Sequence, residues 1–421
     1  MRATLIAMLL LVGVFTATSR AEATTTVEAL TRARAYLWSK QAADGAWRSE
    51  YYGVMRSGES LTPFVLNALM RSADKLSSDE AERVRLATRF IIDHLDEAGA
   101  IGRSDQEVLE YPVYSSAYAI EGLRQVARFE QALGPDLLIE VQHAIVRLQS
   151  FLIAAQYREA NGFTETDVAY GGWGFNAPVR SGVVGHMDLA HTRKALAALG
   201  TWQDPAELRE INDRTVKFLL LMQKHTDAVA LQPHPVEVDD AEIRSPFDGG
   251  FYFSPVALSA NKAPYDQQNH CWRSYATATC DGILALLAAG ISEDDPRMQA
   301  AIEWLKQHSV VDYPQGVPTD HPEPWGDAIR FYHYTVRAEV YRRLNFPIPD
   351  RANLAAAVIA HQRPDGSFVN TMSPLMKEDD PVLCTALAVM ALEDLDSSGF
   401  DQLPTRNLFD FTNSIRNEMK R

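Results

Sequence analysis

Two kinds of helical pattern alternate along the chain. The first places apolar stripes at helical spacing among Arg, Glu and Lys, over about 26–40, 79–96, 136–156, 205–223, 296–308 and 350–361. A one-sided stripe of this kind belongs to a helix lying on a core. The second is apolar or small on every side: Leu61–Met70, Ala117–Val126, Leu189–Leu199, Ala276–Ala289, Ile329–Leu344 and Pro381–Leu392. Such a helix is buried all round. Small residues such as Ala278, Gly282, Ala285 and Ala289 let its neighbours come close. Punctuation supports the boundaries. Asp204-Pro205 and Asp295-Pro296 set an acidic N-cap before an N1 proline, and Ser77 with Glu80 forms a capping box. No stretch alternates with the period of a strand.

A short phrase links the two patterns. It runs Gln41-Ala-Ala-Asp44-Gly45-Ala-Trp47 and returns as Gln362-Arg-Pro-Asp365-Gly366-Ser-Phe368. Longer versions join Gln156 to Gly171-Gly172-Trp173-Gly174-Phe175, and Gln223 to Asp248-Gly249-Gly250-Phe251. Asp-Gly and Gly-Gly supply the positive φ of a tight turn. The aromatic then folds back onto the preceding helix, and the Gln bonds exposed carbonyls at that helix's end. Six outer and six inner helices in alternation predict an all-α ring. Each pair cannot bury its apolar face alone, so residues 24–398 form one domain. An open solenoid is the competing architecture. The long connectors 157–185, 224–273 and 309–327 read as lids over one mouth of the ring.

These phrases resemble the QW repeat of squalene and oxidosqualene cyclases and its relaxed form in prenyltransferase β subunits. The Gly171–Phe175 stretch is similar to the Gly-Gly-aromatic motif of those proteins. The resemblance spans about 30–395 and implies a single α/α toroid, an α6/α6 barrel. It also implies an isoprenoid or other apolar small molecule in a central cavity. Two departures weaken the activity. The DxDD acid motif of hopene-type cyclases has only Glu237-Val238-Asp239-Asp240 as its nearest counterpart. The zinc set of prenyltransferases would need Asp380, Cys384 and a distant His at a different spacing, so no metal ligand and no cofactor are assigned. Fold alone does not fix function.

Composition adds the compartment. Arg2, the apolar run from Leu5 to Phe15 and Ala21-Glu22-Ala23 form a signal-peptide pattern over residues 1–23. The rest is expected to be exported, periplasmic or secreted, with no transmembrane segment and a C-terminal tail over 399–421. A formal net charge of −15 argues against nucleic acid and anionic membranes. Three cysteines, Cys271, Cys280 and Cys384, lie in apolar patterns. They read as buried small hydrophobes, with one disulfide or a metal role as alternatives.

Inner-helix N-termini should gather at one mouth, where converging polar groups make a site. Asp188 and His191, with His186 just before, open the third inner helix and suit a general acid–base pair. Asp380 opens the sixth, where it also satisfies the pattern of an N-cap before proline. Arg330, Tyr332, His333 and Tyr334 open the fifth, and at most two of them can face inward. Asp188, His191 and Asp380 are thus the catalytic candidates, and His186, Arg330, Tyr332 and His333 the ligand-binding ones. Three functions remain open: an isoprenoid-transforming toroid, a carbohydrate-active lyase or hydrolase, and a non-catalytic scaffold.

Overall fold

The computed structural model describes residues 24–105, 107–225, 247–268 and 270–396. The signal-peptide pattern, the tail and Glu237–Asp240 lie outside these. Outer helices are α1 (Thr26–Ser39), α3 (Ser78–Asp93), α6 (Pro135–Ala155), α8 (Pro205–Met222), α10 (Pro296–Gln307) and α13 (Ile348–Ile359). Inner helices are α2 (Leu61–Met70), α4 (Pro112–Val126), α7 (Leu189–Leu199), α9 (Ala276–Ala288), α12 (Arg330–Arg343) and α14 (Pro381–Leu395). Short α5 (Glu130–Leu133) and α11 (Trp325–Ala328) precede α6 and α12. A two-residue antiparallel pair, β1 (Tyr265–Asp266) and β2 (Cys271–Trp272), is absent from the sequence expectation. It is too short to show any alternation.

The inner helices pack in the order α2, α4, α7, α9, α12, α14, and α14 returns to α2. The ring is closed, which removes the open-solenoid alternative. Each outer helix seats against the inner helices beside it, as α6 does on α4 and α7. The expected caps form: Ser77 and Glu80 make both bonds of a capping box, and Asp204 and Asp295 accept from first-turn amides. The largest boundary difference is at an inner helix. The helix α4 begins at Pro112, because Tyr111 takes a left-handed φ of 50° and hands over to proline at N1.

The repeated phrase fastens the outer ring. Each Gln amide donates to a carbonyl in its own turn and to a second one on the next outer helix. Gln41 reaches Arg83 O on α3 at 2.9 Å, Gln156 reaches Ile211 O on α8 at 3.2 Å, and Gln223 reaches Arg297 O on α10 at 2.8 Å. Gln362 bonds Ala29 O on α1 at 2.8 Å and so closes the circle. These bonds join successive helices rather than capping their own. The aromatics fold back as expected: Trp47 Nε1 donates to Leu37 O at 2.6 Å and Trp173 Nε1 to Leu152 O at 2.7 Å. Both rings are fully buried, worth about 5 kcal/mol each in gross apolar burial. Each phrase aromatic also donates its backbone N–H to a Thr hydroxyl on the following inner helix: Thr62, Thr192, Thr279 or Thr385. Gly366, at φ +90°, leaves no room for a Cβ, which would meet Arg32 O on α1 at 2.5 Å.

One helix, α6, is long and apolar enough to cross a bilayer by length and composition. It carries Asp136, Glu140, His143 and Arg147 and packs on α4 and α7, as an outer-ring helix does. Cys280 and Cys384 are buried free thiols, and Cys271 is buried in β2.

Candidate functional site

The interior of the ring is charged. Arg193 on α7 places Nε 2.8 Å from Asp281 on α9 and Nη1 2.9 Å from Glu339 on α12. Lys194 lies 3.2 Å from Glu121 on α4 and 4.3 Å from the Tyr118 ring centroid. Tyr332 donates to Asp281 at 2.9 Å. The pair Arg193–Glu339 joins helices that are not neighbours, so this network crosses the axis. The axis, where the family resemblance implied an apolar cavity, therefore carries ion pairs. A cavity of about 190 Å³ remains beside it, lined by Asn67, Arg71, Glu121, Lys194 and Glu339 among others. Burial pushes the Asp281 carboxyl up to about 6, although Arg193 and the Tyr332 hydroxyl act the other way.

The N-terminal mouth holds a second cluster, and the Gly171–Phe175 phrase builds it. Gly174 bridges Met187 antiparallel, and Phe175 N donates to His186 O at 2.8 Å. A Cβ on Gly174 would stand 2.3 Å from His186 O, so only glycine permits this approach. From the other side, Leu189 N donates to Phe253 O at 2.9 Å and Ser254 Oγ to Met187 O at 2.6 Å. Residues 186–189 are thereby pinned between two turns.

Asp188 is the N-cap of α7. Its Oδ1 accepts from His191 N at 2.9 Å. Its Oδ2 faces His191 Nδ1 at 2.9 Å and His186 Nε2 at 3.1 Å. A carboxylate only accepts, so both ring nitrogens facing it carry protons. In neutral His191 the lone pair then sits on Nε2. That atom is buried and has no hydrogen-bond partner. Burial raises the Asp188 carboxyl, but the His191 charge and the hydrogen bonds from His186 and His191 outweigh it. The group is held well below the usual carboxylate range. The bond from Asp188 in turn raises His186.

Aromatic rings enclose His191. Tyr114 on α4 stacks obliquely at 4.1 Å between centroids, and Phe175 lies at 6.2 Å. Burial keeps the Tyr114 phenol protonated far above neutrality. Lys262 completes the group. Its charge acts on Asp188 and on His186, and burial lowers it to about 8.

The sequence matches no known protein family, and no curated protein matches it. Solved structures do match. Cellobiose 2-epimerase from Bacillus thermoamylovorans B4167 aligns over 87% of this chain and 98% of its own, at 11% identity and TM-score 0.50. Type II terpene cyclase MstE from Scytonema, with merosterolic acid A, aligns over 88% and 96%, at 14% identity and TM-score 0.48. A polysaccharide lyase, BACCELL_00875, aligns over 88% and 98%, at 12% identity and TM-score 0.45. The chain is an α/α toroid. At these identities the likeness speaks for the fold alone.

The toroid brings His186, Asp188 and His191 together as the sequence suggested. Tyr332 joins the adjoining network through Asp281. The other three candidates sit elsewhere. Asp380 caps α14, accepting from Val382 N and Leu383 N, and its second oxygen takes the Ser49 hydroxyl. Both oxygens are thus committed to the fold. Arg330 pairs with Asp327 at 2.6 Å. His333 is fully buried, bonds Thr277 Oγ1 through Nδ1 at 3.1 Å, and is held neutral by burial and Arg337. Among the described residues no three His, Cys, Asp or Glu side chains converge as metal ligands would.

Sequence reasoning did not reach Lys262 or Asp281. Lys262 lies in a connector, 224–273, whose residues carry no helical period. Asp281 sits within the small-residue stripe of α9 and breaks it with one charge, the only visible signal.

Proposed function

We propose that this toroid is an exported enzyme that moves protons on a polar small molecule at its N-terminal mouth. His191 Nε2 is the base, Asp188 orients the ring, and the Tyr114 hydroxyl, on the ring packed against His191, is the neutral acid. The carrying observation is the buried, unpartnered Nε2 whose tautomer Asp188 fixes. A base needs a free lone pair and a partner that stabilises the cation formed, and His191 has both.

Two features weigh against isoprenoid protonation. That chemistry needs a carboxylic acid that keeps its proton, whereas Asp188 accepts from three donors and stays ionised. It also needs an apolar chamber, whereas Arg193, Lys194, Asp281 and Glu339 occupy the axis. The aromatic rings around His191 keep the isoprenoid reading as the second one.

The test is a thermal-shift and turnover screen of the purified protein with oligosaccharides on one side and squalene and farnesol on the other. A ligand that binds only the native state raises the melting temperature. Stabilisation by sugars, with turnover lost in His191→Gln, supports the proposal. Stabilisation by isoprenoids alone replaces it with the cyclase-like reading, and no shift with either favours a scaffold. Export is checked by the mass of periplasmic material, which should lack residues 1–23.

A further inference from the structure

The side chain of Lys262 is a buried cation outside every ion pair among the described residues. The residue is 6% exposed. Its Nζ stands 4.5 Å from the Trp325 ring centroid and 5.0 Å from that of Phe253. Its hydrogen bond goes to a backbone carbonyl, Ala260 O, at 2.7 Å. Among the described residues no carboxylate oxygen forms an ion pair with it. Asp188 and the exposed Glu323 are near enough to be felt, yet neither forms an ion pair with it, and the Asp188 oxygens are taken by His186 and His191.

An ammonium taken out of water is costly unless an anion meets it. Two aromatic faces offset part of that cost, but they accept no directed hydrogen bond. The backbone that carries the lysine is also held. Asn261 Oδ1 accepts from Phe253 N at 2.8 Å and Ser254 N at 3.0 Å, and Nδ2 returns to Ser254 O at 2.9 Å. This clasp fixes the backbone beside Lys262. A scaffold that holds a buried cation outside any ion pair, within electrostatic reach of Asp188 and His186, is built to receive further negative charge. Burial lowers the lysine only to about 8, so it is still mainly charged at neutral pH.

We infer that Lys262 binds a carboxylate on the ligand, placing that ligand against His191. This rests on the mouth being the ligand site, as proposed above, and adds the chemical class. Lys262 is then a specificity residue, reading one anionic group, while His191 acts on the carbon framework.

The test compares two matched pairs, D-glucuronate with D-glucose and hexanoate with hexanol, by calorimetry on the purified protein. The variants are Lys262→Met, which keeps the stem between Phe253 and Trp325, and Lys262→Arg, which keeps the charge. We expect D-glucuronate to bind at least tenfold tighter than D-glucose. Lys262→Met should erase that preference while leaving D-glucose unchanged, and Lys262→Arg should restore part of it. Melting curves of both variants confirm folding. If neither sugar binds but hexanoate exceeds hexanol through Lys262, the carboxylate inference stands and the polar-substrate reading falls. Sugars that bind equally, or a preference that survives Lys262→Met, overturn the inference and leave the His191 reading intact. No binding by any of the four compounds overturns it as well.

Discussion

Oδ2 of Asp188 stands 2.9 Å from Nδ1 of His191, while Oδ1 holds the backbone N–H of the same residue at 2.9 Å. One carboxylate therefore starts the helix α7 and sets the tautomer of a ring within its first turn. The two tasks separate in Asp188→Asn. The Asn oxygen still caps, so stability should fall by under about 1 kcal/mol. Its amide turned to His191 cannot accept the Nδ1 proton, so the ring moves its proton to Nε2 and loses the base. Turnover should drop by about 10²–10⁴-fold. Nitrogen-15 shifts of the His191 ring read the tautomer directly, and an unchanged Nδ1–H form would sink the assignment.

The part of this arrangement visible in the sequence is the local part. Asp188 and His191 stand three apart at a helix start, and the Gly-aromatic phrases mark their own turns. What the sequence hides is the partner of each group. The second carbonyl of Gln362 lies on α1, at the other end of the chain. Arg193 finds Glu339, 146 positions away. Asp380 looked equivalent to Asp188 because both open inner helices. Only three-dimensional placement shows one sharing its oxygen with two imidazoles and the other with Ser49. Charges inside the apolar inner helices were the available hint that the axis is polar.

That axial network gives a stability test. Arg193→Met leaves Asp281 and Glu339 without their shared cation in the interior, which should cost about 3–5 kcal/mol. Adding Asp281→Leu removes one orphaned carboxylate and should recover part of the loss. Urea unfolding of the single and double variants measures it. A double variant no more stable than Arg193→Met would mean that Asp281 is satisfied without the arginine.

Glu378 predicts a pH dependence. It caps α12, accepting from Phe331 N at 2.9 Å and Tyr332 N at 2.7 Å. Burial still raises it to about 7, against those bonds and one from Asn370. A carboxyl raised on folding favours the folded state while protonated. That contribution is full below the unfolded value near 4.5 and is lost as pH rises through about 7. Glu378→Gln cannot titrate. The stability of the wild type minus that of the variant should therefore fall between pH 4.5 and 7 and level off above about 8. A difference that rises with pH would mean that the capping bonds dominate.

Ring closure can be opened at one bond. Gln362→Leu deprives Ala29 O and Gly366 O of their donor at the seam between α13 and α1. The cost should be about 1–3 kcal/mol. Hydrogen exchange should accelerate first in α1, the helix that follows the seam. Uniform acceleration around the ring would show that the seam is no weaker than the other joints.

The last prediction ties the repeat phrase to the site. Gly174 lies where a Cβ would come within 2.3 Å of His186 O and 3.1 Å of the Tyr157 hydroxyl. Its backbone is not in the left-handed region, so Gly174→Ala adds crowding rather than φ strain. The first contact is with backbone, which cannot rotate aside, so the segment carrying His186 and Met187 must shift. Overpacking of this kind costs about 1–3 kcal/mol, which a single ring-shaped domain should survive. Residues 186–188 move with that segment, and Asp188 moves relative to Tyr114 and Lys262. Gly174→Ala should thus remain folded yet lose most of the ligand response measured in wild type. Gly366→Ala, in the turn before α14 and packed on Arg32 of α1 rather than on residues 186–188, should lose stability and keep that response. Equal loss of response in both variants would show that the phrase supports the ring everywhere alike, with no special hold on the mouth.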